Sequence, residues 1–150
     1  MITYALIGAA LVVTTVIIHA MGTVVLVRRL SRHTATLAAG PRWRWTLRIL
    51  IGTVLWLLFL HLVEIIVWAF AFLVLELAND LQSLEEAIYF SFVTYTTLGY
   101  GDITLSGPWR IMSGIEAING VLLAGWSTAA LFALVQKILQ AYQTKAKEPT

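Results

Sequence analysis

The chain has 150 residues, of which 59% are hydrophobic and only 12% are charged, so it is far more apolar than a typical soluble domain. This composition excludes an ordinary soluble protein and indicates an integral membrane protein. The formal net charge of +2 is too small to indicate a nucleic-acid partner. Cysteine is absent, which excludes disulfides and thiolate metal sites.

The first apolar stretch predicts a transmembrane helix over residues 1–27. Residues 2–27 carry no charge and are long enough to cross a bilayer. A secretory signal peptide has its positive charge before the apolar stretch, whereas here Arg28 and Arg29 follow it, so an uncleaved anchor is expected. Within this helix, His19 is expected to be a packed or interface-facing histidine and not a ligand.

Residues 28–45 form a basic linker, and the stretch from its first residue to Arg48 has six arginines and no acidic residue. Basic residues accumulate on the cytoplasmic side of short loops, so the linker is predicted inside and the N-terminus outside. Beyond a Gly-Pro break, Trp43 and Trp45 alternate with arginines. This pattern indicates an interfacial helix whose partner is anionic lipid.

The second predicted span covers residues 46–77 and leads outward to an acidic segment. Within it, His61 and Glu64 are three residues apart and share one helix face. An ionisable group at mid-membrane costs roughly 2.5–3.5 kcal/mol on insertion scales, so each is expected to have a partner. Three interpretations stay open: a structural hydrogen bond to a neighbouring helix, a proton-sensing pair that biases gating, and a divalent-metal site.

A short helix is predicted over residues 84–95. Ser83 is followed by Glu86, a capping-box pattern that begins a helix by satisfying two unpaired backbone N–H groups. The helix would rise about 18 Å, which is too short to cross about 30 Å of hydrocarbon, so it should be re-entrant. Its partially negative C-terminal end would then favour a cation within the membrane.

The next residues, 96–102, read Thr-Thr-Leu-Gly-Tyr-Gly-Asp. A dehydrated cation needs a cage of oxygens, and carbonyls align on one side of a chain when ordinary and left-handed residues alternate. Gly99 and Gly101 permit that alternation because glycine has no Cβ. A single strand provides only one side of such a cage, so several copies must surround a common axis.

The last predicted span covers residues 109–140, which exceeds the bilayer, so it should tilt and project inward. Gly120 and Gly125 could serve as a gating hinge or only permit close packing, and the sequence does not choose between these roles. Glu116 lies inside the outer end of the span and is expected to hydrogen-bond near the back of the 96–102 segment or to titrate. Residues 141–150 are predicted to be a cytoplasmic tail.

The 96–102 segment resembles the selectivity filter of the pore-loop potassium channels, especially the small bacterial channels built from little more than a pore domain. The family signature T-x-G-Y-G-D is matched by five residues: Thr97, Gly99, Tyr100, Gly101 and Asp102. The resemblance covers residues 46–140. It implies an outer helix, a re-entrant pore helix, a filter and an inner helix, assembled as a homotetramer. The expected fold is an all-α membrane protein with three transmembrane helices per chain.

The resemblance also implies roles for individual residues. The ion-binding carbonyl rings would come from Thr97, Leu98, Gly99, Tyr100 and Gly101. Asp102 would lie at the outer mouth, and Tyr89 and Phe90 of the pore helix would support the filter. Leu98 stands where the family most often has Val or Ile, and its γ-branched side chain packs differently behind the carbonyls. A weakly selective cation channel on the same fold therefore stays open.

The leading hypothesis is a passive potassium channel in the plasma (bacterial inner) membrane, with a cytoplasmic C-terminus, no cofactor and no bound metal beyond the permeant K⁺. No nucleophile and base share a plausible site, so an enzyme is not expected. Gating or pH sensing is assigned to a group of five residues: His61, Glu64, Glu116, Gly120 and Gly125. In the alternative function, a non-conducting membrane sensor or subunit, the ionisable members of this group would be the working residues.

Overall fold

The computed structural model describes residues 2–32, 43–75 and 81–147. Within these ranges the chain is helical and has no strand. The helices are α1 (Ile2–Ser31), α2 (Trp43–Val74), α3 (Leu84–Tyr95) and α4 (Arg110–Lys147), and a 3-10 turn at Gly107–Trp109 precedes α4. By length and composition α1, α2 and α4 are able to cross a membrane, whereas α3 has only 12 residues.

The three long helices depart from their predicted bounds. Helix α1 continues into the predicted linker. Helix α2 begins at Trp43, so Trp45 lies in its first turn and not in a separate interfacial helix. Helix α4 continues to Lys147, because the good helix formers of the predicted tail extend it. The remainder of the linker, residues 33–42, and the acidic residues in 76–80 lie outside the described residues.

Helix α1 packs lengthwise against both α2 and α4. Its buried residues fall on one helix face: Gly8, Thr15, His19, Gly22 and Leu26. Near its start, the Tyr4 ring meets the Trp109 ring edge-on at 4.2 Å. Near its end, the Trp56 indole donates a hydrogen bond of 3.0 Å to the Gly22 carbonyl. The helix therefore runs parallel to α4 and antiparallel to α2, as an integral part of the bundle.

The main apolar core lies among α2, α3 and the beginning of α4. Its largest fully buried side chains include Trp68 and Phe72 of α2 and Met112 of α4. The Phe72 ring packs edge-on against the Phe90 ring of α3, with 5.3 Å between centroids. These contacts fix α3 against the long helices and so position the 96–102 segment that follows it.

Helix α3 begins at the predicted cap, with one difference. The Ser83 hydroxyl accepts the Glu86 N–H at 3.2 Å, and Ser83 has the extended backbone of an N-cap. The Glu86 carboxylate, however, accepts the N–H of Gln82 at 2.7 Å, one residue before the donor of a regular capping box. The carboxylate still satisfies a backbone donor beside the positive end of the helix.

Candidate functional site

The backbone of the 96–102 segment alternates in handedness. Thr97, Gly99 and Gly101 have positive φ values of 60°, 56° and 79°, whereas Leu98 and Tyr100 do not have positive φ. The two glycines were predicted to allow this alternation, but the left-handed conformation of Thr97 was not, because a β-branched residue rarely adopts it. The resulting alternation is the one that turns successive carbonyls to one side of the chain.

Backbone hydrogen bonds hold the N-terminal half of the segment to α3. The Thr97 N–H donates to the Thr94 carbonyl at 2.9 Å, and the Gly99 N–H donates to the Val93 carbonyl at 3.2 Å. These bonds use carbonyls of the last turn of α3 that have no partner further along a helix. The last turn of α3 therefore restrains the backbone of the 96–102 segment through these two hydrogen bonds.

The C-terminal end of the segment is held by a side chain of α3. The Tyr89 hydroxyl donates a hydrogen bond of 2.6 Å to the Asp102 carboxylate. This bond lowers the pKa of Asp102 and raises the pKa of Tyr89, because it favours the ionised acceptor and the protonated donor. Phe90 instead packs in the core against Phe72, and Tyr100 is 66% exposed in the protomer. Phe90 therefore contributes to the placement of α3, and it also lines a cavity shared with residues of the 96–102 segment.

Replacing Tyr89 with phenylalanine is expected to raise the pKa of Asp102, because its ionised form loses a donor. In the wild type the bond contributes fully above the ordinary aspartate pKa of about 3.9 and is lost as the pH falls through the lower folded-state value. The variant should therefore protonate Asp102 at a higher pH, measured by the ¹³C shift of its carboxyl carbon. Tyr142→Phe, which removes a hydroxyl bonded to Thr46, is the control. Identical Asp102 titrations in Tyr89→Phe and wild type would contradict this assignment.

A second site lies inside the bundle, where all four helices contribute a polar side chain. We call it the histidine cluster: His19 of α1, His61 and Glu64 of α2, Tyr95 of α3 and Ser127 of α4. The two carboxylate oxygens of Glu64 lie 2.8 Å from His19 Nδ1 and 3.1 Å from His61 Nδ1. The Tyr95 hydroxyl donates to Glu64 and lies 3.2 Å from His61 Nδ1. Ser127 Oγ lies 2.9 Å from His61 Nε2 and 3.3 Å from His19 Nε2.

Burial makes the partners of Glu64 necessary. The side chains of Glu64 and His19 have no exposed surface, and that of His61 is 18% exposed. His61 and Glu64 are in contact, as their spacing predicted, and the buried His19 makes the shorter contact with Glu64. Thr15, on the same face of α1, accepts a hydrogen bond of 2.8 Å from the Asn119 amide. Two polar groups four residues apart in an apolar helix were the available signal for this face.

His19, His61 and Glu64 are also the described residues that could hold a metal ion. One ligand atom from each lies within 4.8 Å of the others. The sequence placed only two of these three groups together, because His19 belongs to another helix.

The predicted roles on α4 have different outcomes. Glu116 is fully buried, but neither carboxylate oxygen has a hydrogen-bond partner among the described residues. The Ser91 hydroxyl of α3 faces it without meeting hydrogen-bond geometry. A Cβ added at Gly120 would lie 2.0 Å from the Tyr95 carbonyl oxygen, whereas one at Gly125 would have nothing within 4 Å. Within a single chain, close packing therefore accounts for Gly120 and not for Gly125.

A protein-family model described as "Ion channel" matches residues 58–137, more than half of the chain. The chain belongs to the ion channel family. Membership supports passive ion conduction, which is a transport activity and not an enzymatic one. Membership and the three long apolar helices together indicate that this ion channel is a membrane protein. A search of curated proteins and a search of solved structures each found no match.

The matched region of the ion channel runs from α2 into α4 and contains α3 and the 96–102 segment. Helix α1 lies outside it. The histidine cluster therefore joins one residue outside the family region, His19, to four residues within it.

Proposed function

We propose that this ion channel is selective for K⁺ and that the ions pass along the carbonyls of residues 97–101. The observation that carries the proposal is the left-handed backbone at Thr97, Gly99 and Gly101, with ordinary residues between them. Such alternation supplies a row of carbonyl oxygens that can replace the hydration shell of the ion. The hydroxyl of Thr97 would add one more oxygen at the inner end.

The proposed active form is a homotetramer, because one chain provides only one side of the pore. The exposure of large side chains supports an assembly. Leu98 is 57% exposed and Tyr100 is 66% exposed in the single protomer, and Ile118 and Leu122 of α4 are each 64% exposed. Apolar surface of this extent beside a pore segment requires cover from neighbouring chains or lipid.

Helix α3 is proposed to be the re-entrant pore helix. Its 12 residues rise about 18 Å, less than the hydrocarbon thickness of about 30 Å. Its C-terminal residue, Tyr95, leads directly into the 96–102 segment. The partial negative charge of that helix end would therefore face a cation at the inner side of the carbonyl row.

We further propose that the linker between α1 and α2 lies at the cytoplasmic face of the plasma membrane, with the N-terminus outside and the C-terminus inside. Four exposed arginines flank it: Arg28, Arg29, Arg44 and Arg48. Anionic lipid headgroups are the expected partners of these side chains. The proposed transport uses K⁺ as the permeant ion and requires no cofactor.

Ion flux through the purified protein in liposomes tests the proposal. With equal concentrations of K⁺ on one side and Na⁺ on the other, the reversal potential should lie far from zero and towards the K⁺ equilibrium potential. Barium should block the flux, because it competes for carbonyl sites that fit K⁺. Chemical cross-linking should give a ladder that ends at four chains.

Three other results would each contradict part of the proposal. A reversal potential near zero would indicate the weakly selective cation channel that Leu98 leaves open. No flux across a range of pH, voltage and lipid composition would favour a non-conducting sensor or subunit. A cross-linking ladder that ends at two chains would contradict the four-fold assembly.

A further inference from the structure

In the histidine cluster, Ser127 contacts the Nε2 atoms of both histidine rings. If both rings were neutral and protonated on Nδ1, these two contacts could not both be hydrogen bonds. Ser127 Oγ lies 2.9 Å from His61 Nε2 and 3.3 Å from His19 Nε2. A serine hydroxyl has one hydrogen to donate but two lone pairs with which to accept. At least one of the two rings must therefore donate an Nε2–H to Ser127.

A neutral ring that is protonated on Nε2 has its lone pair on Nδ1. In both rings Nδ1 faces the Glu64 carboxylate, at 2.8 Å for His19 and 3.1 Å for His61. A ring lone pair beside a carboxylate oxygen places two acceptors in contact, and this arrangement is costly where both groups are buried. Two kinds of cation remove the conflict: a second proton on one ring, or a metal ion held by the ring nitrogens and the carboxylate.

The converging atoms resemble the ligand set of a transition-metal ion. One ligand atom from each of His19, His61 and Glu64 lies within 4.8 Å of the others. Zinc bonds of about 2.0–2.2 Å at tetrahedral angles place ligand atoms roughly 3.3 Å apart, so moderate side-chain shifts would close the three groups around an ion. The Tyr95 hydroxyl oxygen, 3.2 Å from His61 Nδ1, borders the fourth position.

Ser127 is placed to orient both rings for such an ion. A histidine that binds metal through one nitrogen usually donates its other N–H to an oxygen, which fixes the ring orientation. With two Nε2–H groups donating to the two lone pairs of Ser127, both Nδ1 atoms turn towards Glu64. Two imidazoles and one carboxylate suit ions of the zinc class, whereas Ca²⁺ and Mg²⁺ prefer sites made of oxygen alone.

We propose that His19, His61 and Glu64 bind one divalent transition-metal ion of the zinc class in each chain. The carboxylate offsets part of the ionic charge inside the membrane. The bound ion joins α1, which lies outside the family region, to α2. The site also borders Tyr95, which is the last residue of α3 before the 96–102 segment. Binding at this site does not depend on the proposed K⁺ selectivity.

Zinc binding to the purified chain in lipid nanodiscs tests the site. After equilibration with chelator-buffered Zn²⁺, elemental analysis should give about one zinc per chain for the wild type. The matched control is His33→Gln, which removes the remaining histidine of the sequence and should keep this stoichiometry. His19→Gln and Glu64→Gln should lose it. Ser127→Ala should keep one site per chain with an affinity about 10–100-fold weaker.

Two outcomes of the zinc-binding measurement would overturn the proposal. A wild-type chain that binds no zinc would leave a protonated histidine as the cation of the cluster. Equal zinc binding by His19→Gln and His33→Gln would place the ion elsewhere.

Measurements on the wild type alone keep the test decisive if a variant fails to fold. Co²⁺ in place of zinc should give the strong visible absorption of a four-coordinate site with nitrogen and oxygen ligands. X-ray absorption at the zinc edge should show the scattering pattern of two imidazole rings. A spectrum without imidazole scattering would overturn the assignment even where every variant is unstable. Neither measurement requires ion conduction, so failure of the metal site and failure of the K⁺ channel proposal are distinguishable.

Discussion

Replacing Gly99 with alanine is expected to abolish K⁺ flux through the reconstituted protein. Gly99 has φ of +56°, a left-handed conformation that costs a residue with a Cβ about 1–2 kcal/mol. Relaxation of this strain would turn a carbonyl out of the row, and in a tetramer the change would occur in every chain. Potassium flux into liposomes, at matched protein content, measures the effect.

The control for Gly99→Ala is Gly107→Ala. Gly107 has φ of +57°, and a Cβ there would have nothing within 4 Å. Alanine at Gly107 therefore introduces the same backbone strain as alanine at Gly99, but outside the 96–102 segment. Because Gly107 lies in the 3-10 turn before α4, we expect its variant to retain K⁺ flux. Normal flux in Gly99→Ala, or equal loss in both variants, would contradict a specific role for the 96–102 backbone.

Replacing Gly120 with alanine is expected to destabilise the packing of α4 against α3. The new Cβ would lie 2.0 Å from the Tyr95 carbonyl oxygen, a backbone atom that cannot rotate away. Overpacking of this kind typically costs about 1–3 kcal/mol and occasionally more. Because Tyr95 immediately precedes the 96–102 segment, the helix shift should also reduce ion flux. Thermal unfolding of the purified assembly and liposome flux measure the two effects.

Two other glycines provide controls for Gly120→Ala. A Cβ at Gly125 would have nothing within 4 Å, and alanine favours a helix over glycine by up to about 1 kcal/mol, so Gly125→Ala should be as stable as the wild type or more so. A Cβ at Gly22 would lie 2.4 and 2.5 Å from the two terminal methyls of Leu60, so that side chain must move as a whole; because it is a side chain and not backbone, an intermediate loss is expected. Equal stability of the Gly120 and Gly125 variants would show that the α3–α4 contact adjusts freely.

Much of the architecture could be predicted because it depends on local sequence. Apolar stretches long enough to cross a bilayer predict α1, α2 and α4, and the structure has three such helices. The serine and glutamate pattern at Ser83 predicts the start of α3, because a cap is satisfied by residues within one turn. The motif in residues 96–102 indicated an ion channel, and the family match confirms that class. Potassium selectivity and the tetramer remain predictions.

Contacts between helices could not be predicted in the same way. Glu64 meets His19 and Tyr95 across sequence separations of 45 and 31 residues. Spacing within one helix relates His61 to Glu64, but contact with another helix depends on how far each helix is rotated and shifted against its neighbour. The contact between His19 and Glu64 could not be predicted for this reason.

The sequence by itself determined that this protein is a helical membrane protein and indicated an ion channel, because hydrophobic length and backbone-permissive glycines act locally. Only the tertiary structure decided which polar groups meet inside the bundle and which glycine is needed for packing. The sequence alone did not choose between Gly120 and Gly125, yet of the two only Gly120 lies against the Tyr95 carbonyl. That difference arises from the packing of α3 on α4, which no single helix encodes.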